Sequence, residues 1–520
     1  MTSKLKQLII GMALLATALP TSAWAVDVKE IDKSLNNFIQ PFTSLYSRIV
    51  FTPIDIMGQP MPLIVLWLAA GGIFCTLYFK FINFRGFTTA LKIVRGDYTR
   101  KEDAGEVTHF QALSAALSGT VGLGNIGGVA VAISVGGPGA TFWMIIVGLL
   151  GMSTKFAECT LGVKYRKLHE DGSVSGGPMY YLKRGFSERG MPKLGTGLAI
   201  FFSVCCIFAS FGGGNIFQIG LTSDFISQLP GTNGALEHYR WLLGLIVAVI
   251  VGAVIIGGIK SIASVTSKLV PAMCIFYVAS AISILLVFHD RVPEAFMAIL
   301  DGAFTPEAGY GGIIGVMIQG MRRATFSNEA GIGSAPIAHS AVKTNEPATE
   351  GLVSLLEPFI DTVIVCTMTA LVIVITQVYT PGEGGSTFQG VMLTSRAFSE
   401  VYSWFPYLLA IAVLLFAFST MITWSYYGLK AWTFLFGESR AMDITYKLLF
   451  CCITVIGSTM SLTEIVDFSD AANFSMAIPN LIGVFVMAPV VRQCLTSFMD
   501  KIDSGEIKSN RVVEAAETAN

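Results

Sequence analysis

The sequence predicts an all-α polytopic membrane protein with eleven transmembrane helices, ten of them arranged as a 5+5 inverted repeat behind one extra N-terminal helix. Three observations carry this. Of 520 residues, 53% are hydrophobic and only 13% charged, with mean hydropathy +0.65, whereas an average soluble domain is about 25% charged. From Pro60 onward the chain is a succession of apolar runs, each near the roughly 20 residues that cross a bilayer as a helix. Finally, two runs in corresponding positions of the two halves are interrupted by glycine, which points to a binding site between inverted repeats.

Met1–Ala25 carries Lys4 and Lys6, an apolar core from Leu8 to Leu19, and the small-x-small pattern Ala23-Trp24-Ala25. It reads as a secretory signal peptide, with an uncleaved anchor helix as the alternative. Residues 26–59 are mixed and polar, too interrupted to span, and are expected to form a periplasmic segment. The transporter domain is expected over 60–495, with spans at 60–81, 110–135, 139–163, 196–228, 241–259, 268–289, 310–342, 349–377, 404–436, 445–465 and 470–495. Residues 496–520 form the expected cytoplasmic tail.

The basic residues test this count. If the mature N-terminus is outside, the segments 80–109, 164–195, 260–268, 343–348, 430–447 and 492–520 face the cytoplasm and hold 23 of the 34 Lys and Arg. That is the asymmetry of the positive-inside rule. An odd number of spans then leaves the C-terminus in the cytoplasm, and the expected location is a bacterial inner membrane. The formal net charge of −1 argues against a nucleic-acid partner. The 36 Phe and 53 Gly suit lipid contact and close helix packing. All nine Cys lie in apolar runs, so no disulfide framework is expected.

The first interrupted run contains Gly119-Thr120-Val121-Gly122-Leu123-Gly124-Asn125-Ile126-Gly127-Gly128. Five glycines in ten residues open a helix, since each costs about 1 kcal/mol relative to alanine. Opened backbone at membrane depth is tolerated only where protein or a watery cavity satisfies it. Close packing through small residues would explain the glycines but not Thr120 and Asn125 beside them. The second interrupted run carries Gly320-Met321-Arg322-Arg323-Ala324-Thr325-Phe326-Ser327-Asn328-Glu329-Ala330-Gly331-Ile332-Gly333-Ser334-Ala335-Pro336.

The segment Val121–Asn125 resembles the unwound part of the first core helix in LeuT-type symporters. A closer resemblance is to the alanine or glycine:cation symporter family (sodium:alanine symporters). It is carried by Gly136-Gly137-Pro138-Gly139-Ala140-Thr141-Phe142-Trp143-Met144, by Gly176-Gly177-Pro178-Met179-Tyr180-Tyr181 and by Asn328–Pro336. Thr141 and Ile145 depart from the family signature, where an aliphatic residue and Trp are common. The resemblance implies a LeuT-like fold and sodium-driven import of small neutral amino acids, alanine or glycine, by alternating access.

Such a substrate needs partners for its carboxylate and its ammonium. Backbone N–H groups near Gly122 and Gly124 suit the carboxylate. Carbonyls released around Thr325–Ser327 suit the ammonium, unless Thr325 and Ser327 back-bond within an intact helix. Thr120, Asn125, Gln218 and Trp424 complete the expected substrate set. Gln218 follows Gly214 by one turn in Phe211-Gly212-Gly213-Gly214-Asn215-Ile216-Phe217-Gln218, although an interhelical amide contact is an equal reading. For sodium, the LeuT-type resemblance implies the carbonyls of Ser118, Val121 and Phe416 with Ser419 and Thr420. No cofactor is expected beyond Na⁺ as coupling ion; the partners are amino acid, Na⁺ and membrane lipid.

Ionisable residues inside spans are functional by default. Lys155 and Glu158 read as a pair, and Arg322, Arg323, Glu329, Glu357 and Asp361 as a structural or gating network. No Walker loop or nucleophile elbow occurs and no His pair has metal-ligand spacing, so the chain does not read as an enzyme. A proton-coupled symporter, a channel or facilitator, and a membrane sensor are the alternatives. The cytoplasmic segments are short for a sensor, and the residues themselves are compatible with Na⁺ or H⁺ coupling.

Overall fold

The computed structural model describes residues 40–56, 59–100, 102–230, 236–304, 312–379, 387–460 and 463–510. The expected signal peptide and the end of the tail lie outside the described residues. The described residues form helices, with two short antiparallel hairpins among them. One hairpin pairs β1 (Pro53–Ile56) with β2 (Gln59–Pro62), and the other pairs β3 (Lys167–Leu168) with β4 (Val174–Ser175).

Every expected span has a helix within it. In order these are α1 (Leu63–Tyr78), α2 (His109–Thr120) and α3 (Val129–Gly136), α4 (Ala140–Lys164), α5 (Pro192–Phe211) and α6 (Phe217–Ser227), α7 (Arg240–Ile255) and α8 (Gly258–Val287). There follow α9 (Gly312–Asn328), α10 (Ala335–His339), α11 (Pro347–Ser354), α12 (Thr367–Thr376), α13 (Phe405–Phe436), α14 (Arg440–Gly457) and α15 (Thr463–Asp503). Among the described residues, seven helical stretches are long and apolar enough to cross a membrane, or eight if the bent α2–α3 pair is one span. The first expected span starts late because Pro60 and Pro62 belong to the β1–β2 hairpin.

Apolar helices sort by what covers them. Most of α13 is buried in the protein, whereas little of α8 is. On α8, Ile275 and Leu286 are exposed, as are Leu242 and Ile250 on α7. In a bilayer these residues meet lipid, so the hydrophobic surface has no cost there. The centre is α4, packed against α1, α9, α10 and α11. Small residues let the backbones approach. A methyl group on Gly351 of α11 would lie 2.0 Å from Thr160 Oγ1 and 2.7 Å from the Phe156 carbonyl of α4. One on Gly197 would meet nothing within 4 Å.

Two helices break, the first of them where glycine was expected to break it. The segment 109–120 meets 124–136 at 54°. A capping box starts it, with Thr108 Oγ1 accepting Gln111 N–H and Gln111 Oε1 accepting Thr108 N–H. Val121 leaves the helix at φ −75°, ψ 95°, and Gly124–Gly128 resumes as a π-helical turn. The second break lies later than expected. The α9 helix runs through Thr325–Ser327 to Asn328, because Glu329 N–H still reaches the Thr325 carbonyl at 3.0 Å. It ends where Glu329, Gly331 and Gly333 adopt φ of 54°, 90° and 88°. The Thr325 carbonyl is therefore not released, whereas Phe326 and Ser327 lie in the last turn, where carbonyls lack intrahelical donors, and Ala330 N–H turns to Asn328 Oδ1 at 3.0 Å instead.

The α4–α11 contact generates a test. Gly351→Ala should cost about 1–3 kcal/mol through overpacking, read as a lower thermal unfolding midpoint in detergent, while Gly197→Ala should leave the midpoint unchanged. Equal midpoints for the two variants would contradict the close approach.

Candidate substrate and cation site

The first break is held by one side chain. Asn125 Oδ1 accepts the N–H of Gly122 at 2.8 Å, closing the opened backbone on itself. Its Nδ2 donates to Asp361 Oδ1 at 2.6 Å and to Ser327 Oγ at 3.0 Å. Ser327 Oγ in turn donates to Asp361 Oδ2 at 2.8 Å, as does Thr362 Oγ1. Thr369 Oγ1 donates to the Asn125 carbonyl at 2.9 Å. The two broken segments and the helix after them thus meet at a buried carboxylate. Asp361 sits in a π-helical stretch, Phe359–Cys366, which turns it out of register with the helix on either side.

On the other side, α2 lies along α13. Thr423 Oγ1 donates to the Ala115 carbonyl at 3.1 Å, and Ser118 Oγ to the Ser419 carbonyl at 2.6 Å. One turn further, Gly122 faces Thr420: a methyl group there would lie 2.9 Å from Thr420 Oγ1 and 3.8 Å from Gln218 Oε1. Both oxygens are buried without a hydrogen-bond partner. The amide of Gln218 is oriented by its Nε2, which donates to the Gly213 carbonyl at 3.0 Å. Two unsatisfied buried acceptors therefore converge beside Gly122, at the start of the resumed helix, where first-turn N–H groups lack intrahelical acceptors and that of Asn125 turns back to the Gly122 carbonyl at 3.2 Å. Acceptors beside donors, with no Cβ between, can hold a cation or a zwitterion.

The structure brings most of the expected residues together but changes several roles. Ser118, Val121, Gly122, Asn125, Gln218, Ser419 and Thr420 gather at the first break. Gly122 N–H, expected free for a carboxylate, is occupied by Asn125. Ser419 Oγ donates to the Phe416 carbonyl at 2.9 Å, so both bond locally within α13. Gly124 is turned away from Thr420: a methyl group there would touch the Phe326 ring at 3.4 Å. Thr120 is buried and its hydroxyl turns to the Leu117 carbonyl at 3.4 Å. Thr325 stays apart. Its hydroxyl back-bonds to Met321 at 2.9 Å, and it lines a narrow cleft with Leu68, Gly72 and Thr154.

Trp424 packs against Gly214, whose Cβ would lie 2.3 Å from that of Trp424. The indole N–H donates to Glu329 Oε1 at 3.2 Å, linking α13 to the second break. Ser334 Oγ donates to the other oxygen of Glu329. Asn215 makes the interhelical amide contact: it donates to the Phe450 carbonyl at 2.8 Å and accepts from Thr454 at 3.0 Å.

The expected ion pairs are redrawn. Lys155 pairs with Glu357 at 2.8 Å, both fully buried, rather than with Glu158. Glu158 instead accepts from Asn480, which also donates to the Gly331 carbonyl at 2.8 Å. Residues three apart on α4 need not meet when a neighbouring helix offers a closer partner. Asp361 belongs to the Asn125 cluster, and Arg322 lies over the Phe51 ring at 5.2 Å. Asp361, Thr362, Thr369 and Cys366 are the cluster members that sequence reasoning did not place at the site. Their signal was a carboxylate and hydroxyls inside an apolar span, and only the π-helical register says where they point.

A bundle of membrane-length helices, opened at two places with polar groups gathered at the openings, has the form of a multi-pass membrane transporter. The chain belongs to the sodium:alanine symporter family, whose family-wide sequence pattern matches residues 45–512. The chain is 38% identical to the sodium/alanine symporter AgcS of Methanococcus maripaludis over 432 residues, covering 83% of this chain and 92% of that one. It is 33% identical to the probable sodium/glutamine symporter GlnT of Bacillus subtilis over 448 residues, covering 85% and 89%. The crystal structure of MhsT in complex with L-phenylalanine aligns at 16% identity with a TM-score of 0.49, covering 74% of this chain and 89% of that one. The family is one of transporters, not of enzymes.

The Asn125 cluster generates a stability prediction. Asn125→Ala leaves the Gly122 N–H and the Asp361 carboxylate short of partners, at about 1–3 kcal/mol for each buried group. Thermal unfolding in detergent should show a large loss, whereas Thr325→Val, which removes only a back-bond, should stay near wild type. A tolerated Asn125→Ala would mean that water serves these groups equally well.

Proposed function

We propose that this protein is a sodium-coupled symporter that imports small neutral amino acids, alanine or glycine, by alternating access. Family membership supports symport. The observation that carries the site is the convergence of two unpartnered acceptors, Thr420 Oγ1 and Gln218 Oε1, on the glycine at the first break. In this reading the amino-acid ammonium donates to Gln218 Oε1, and its carboxylate lies at the first-turn amides after Gly122. Sodium is cargo held between the end of α2 and α13, by Thr420 and Ser419 hydroxyls with carbonyls of Ser118, Val121 and Phe416. Neutral oxygens suit a monovalent ion because they bury no compensating charge. Ion and substrate stabilise the same occluded arrangement, so each raises the other's affinity.

The proposed frame is a LeuT-like 5+5 inverted repeat of eleven spans in a bacterial inner membrane, N-terminus outside and C-terminus in the cytoplasm. The positions of the two breaks, at the first span of each half, support it. A second reading, proton in place of sodium, is favoured by the buried Asp361 beside the same break. Uptake of labelled alanine and glycine into proteoliposomes under imposed Na⁺ or H⁺ gradients decides between the two. Accumulation driven by Na⁺ alone is expected, and gradient-independent equilibration would make the protein a facilitator.

Two variant sets sharpen the assignment. Ser419→Ala with Thr420→Ala removes two sodium oxygens and should raise the Na⁺ needed for half-maximal uptake by about tenfold, corresponding to about 1.4 kcal/mol. Alanine affinity at saturating Na⁺ should change much less, and an unmoved Na⁺ dependence would put the ion elsewhere. Gly122→Ala places a methyl group against Thr420 Oγ1 and should lower alanine uptake roughly tenfold or more. Gly124→Ala adds only an ordinary contact with Phe326 and should transport nearly as wild type. If both are equally active, Gly122 is a packing residue and the substrate lies elsewhere.

A further inference from the structure

His109 opens α2 and His339 closes α10, so the two imidazoles stand at adjoining ends of the two broken segments. Both turn Nδ1 to one carboxylate. Glu350 on α11 meets His109 at 2.5 Å through Oε2 and His339 at 2.6 Å through Oε1. An ionised carboxylate only accepts, so each Nδ1 carries a hydrogen. The other nitrogen of His339, Nε2, faces Glu357 Oε2 at 3.5 Å, and neither atom has a hydrogen-bond partner. Glu357 Oε1 already holds Lys155. His339, Glu350, Glu357 and Lys155 are all fully buried.

A neutral imidazole has one N–H. With that hydrogen on Nδ1, Nε2 turns a lone pair toward the lone pair of Glu357. Two buried acceptors then confront each other, which is unfavourable for both. A single proton between them satisfies both atoms. We propose that the gap between His339 Nε2 and Glu357 Oε2 is a proton-binding site that ties the adjoining ends of the two broken segments together. The proton comes from the water at that end of the molecule and returns to it; no other bond is made or broken.

The titratable and charged groups around this site come from every neighbouring element. They are His109 on α2, Lys155, Glu158 and Cys159 on α4, Arg166 just beyond it, Glu329 at the second break, Glu350 on α11, Asp361 in the π-helical stretch and Tyr427 on α13. The same end is tied by backbone. Glu106 N–H donates to the Ala341 carbonyl at 2.7 Å and Lys343 N–H to the Val107 carbonyl at 2.8 Å. The Arg166 guanidinium donates to the carbonyls of Ala104, Ser340, Val342 and Thr344, at 2.6–2.8 Å. With the proton bound, His339 braces Glu350 and Glu357 at once. With the proton lost, it keeps Glu350 alone, so opening at this end is favoured as the pH there rises.

Full-length protein labelled with ¹⁵N-histidine and titrated by NMR over about pH 5 to 11 tests the site directly. An imidazolium signal that titrates as one proton and is missing from His339→Gln is expected. If His339→Gln does not fold, Glu357→Gln must shift that same signal and no other. A His339 signal showing a bare Nε2 throughout the range would overturn the proposal. In proteoliposomes, alanine exchange should speed up with pH at the His339 end in wild type and lose that dependence in His339→Gln; retained dependence also overturns it. The NMR result needs no transport, so failure of the proton site is distinguishable from failure of the symport reading on which the exchange assay rests.

Discussion

An opened helix inside a bilayer must find partners for its own backbone; here Asn125 takes the Gly122 N–H, while Thr369 and Thr394 donate to the carbonyls of Asn125 and Ile126. Asn125 Oδ1 takes the Gly122 N–H within the same break, and its Nδ2 reaches Ser327 and Asp361 across the bundle. One amide therefore has two tasks: it keeps the first break open, and it registers that break against α9 and the stretch after it. No hydroxyl could do both, because it has one hydrogen to donate and two bonds are donated across helices here. The rest of the site follows from this anchoring. With the break closed by Asn125, Gly122 is free to face Thr420 and Gln218 rather than being consumed in packing.

The fold was legible because membrane helices announce themselves by length and composition. All eleven expected spans contain a helix, and the glycine-rich interruption at 119–128 is where α2 bends. The second break was placed too early. The opening was expected around Thr325–Ser327, yet polar residues can ride on an intact helix, and the turn comes only where Glu329, Gly331 and Gly333 take positive φ. A single-residue conformation of that kind leaves little trace beyond the glycines themselves. Thr325 shows the same limit from the other side, since a hydroxyl beside a break and a hydroxyl back-bonded to Met321 read identically in one dimension.

Side-chain pairing was the least legible part. Lys155 and Glu158 fit the helical spacing of an ion pair, but spacing along one helix says nothing about what a second helix brings. Gly351 lets α11 lie directly on α4, and that approach accompanies the meeting of Glu357 with Lys155 and the turning of Glu158 to Asn480. Asp361 was visible as a carboxylate in an apolar span, four residues after Glu357. In a regular helix those two residues would share a face. Glu357 meets Lys155 on α4, while Asp361, inside the π-helical stretch from Phe359 to Cys366, meets Asn125 at the first break.

Side-chain junctions at three levels tie the broken segments to each other and to α13, and they bear on how the molecule can move. Asn125 and Ser327 share Asp361; Trp424 on α13 holds Glu329 at the second break; His109 and His339 share Glu350 at one end. Each of these three junctions is made by side-chain hydrogen bonds to a carboxylate, set beside backbone ties such as Glu106 to Ala341 and apolar contacts such as Ala116 with Ala335. Packed apolar contacts resist separation over their whole area, whereas a few directional bonds can be exchanged singly for bonds to water or to an ion. An assembly joined in this way can part at one end while its centre stays bonded. That is the mechanical requirement for exposing a central site to one side of a membrane at a time, and here polar junctions run alongside the apolar core from the first break to His339.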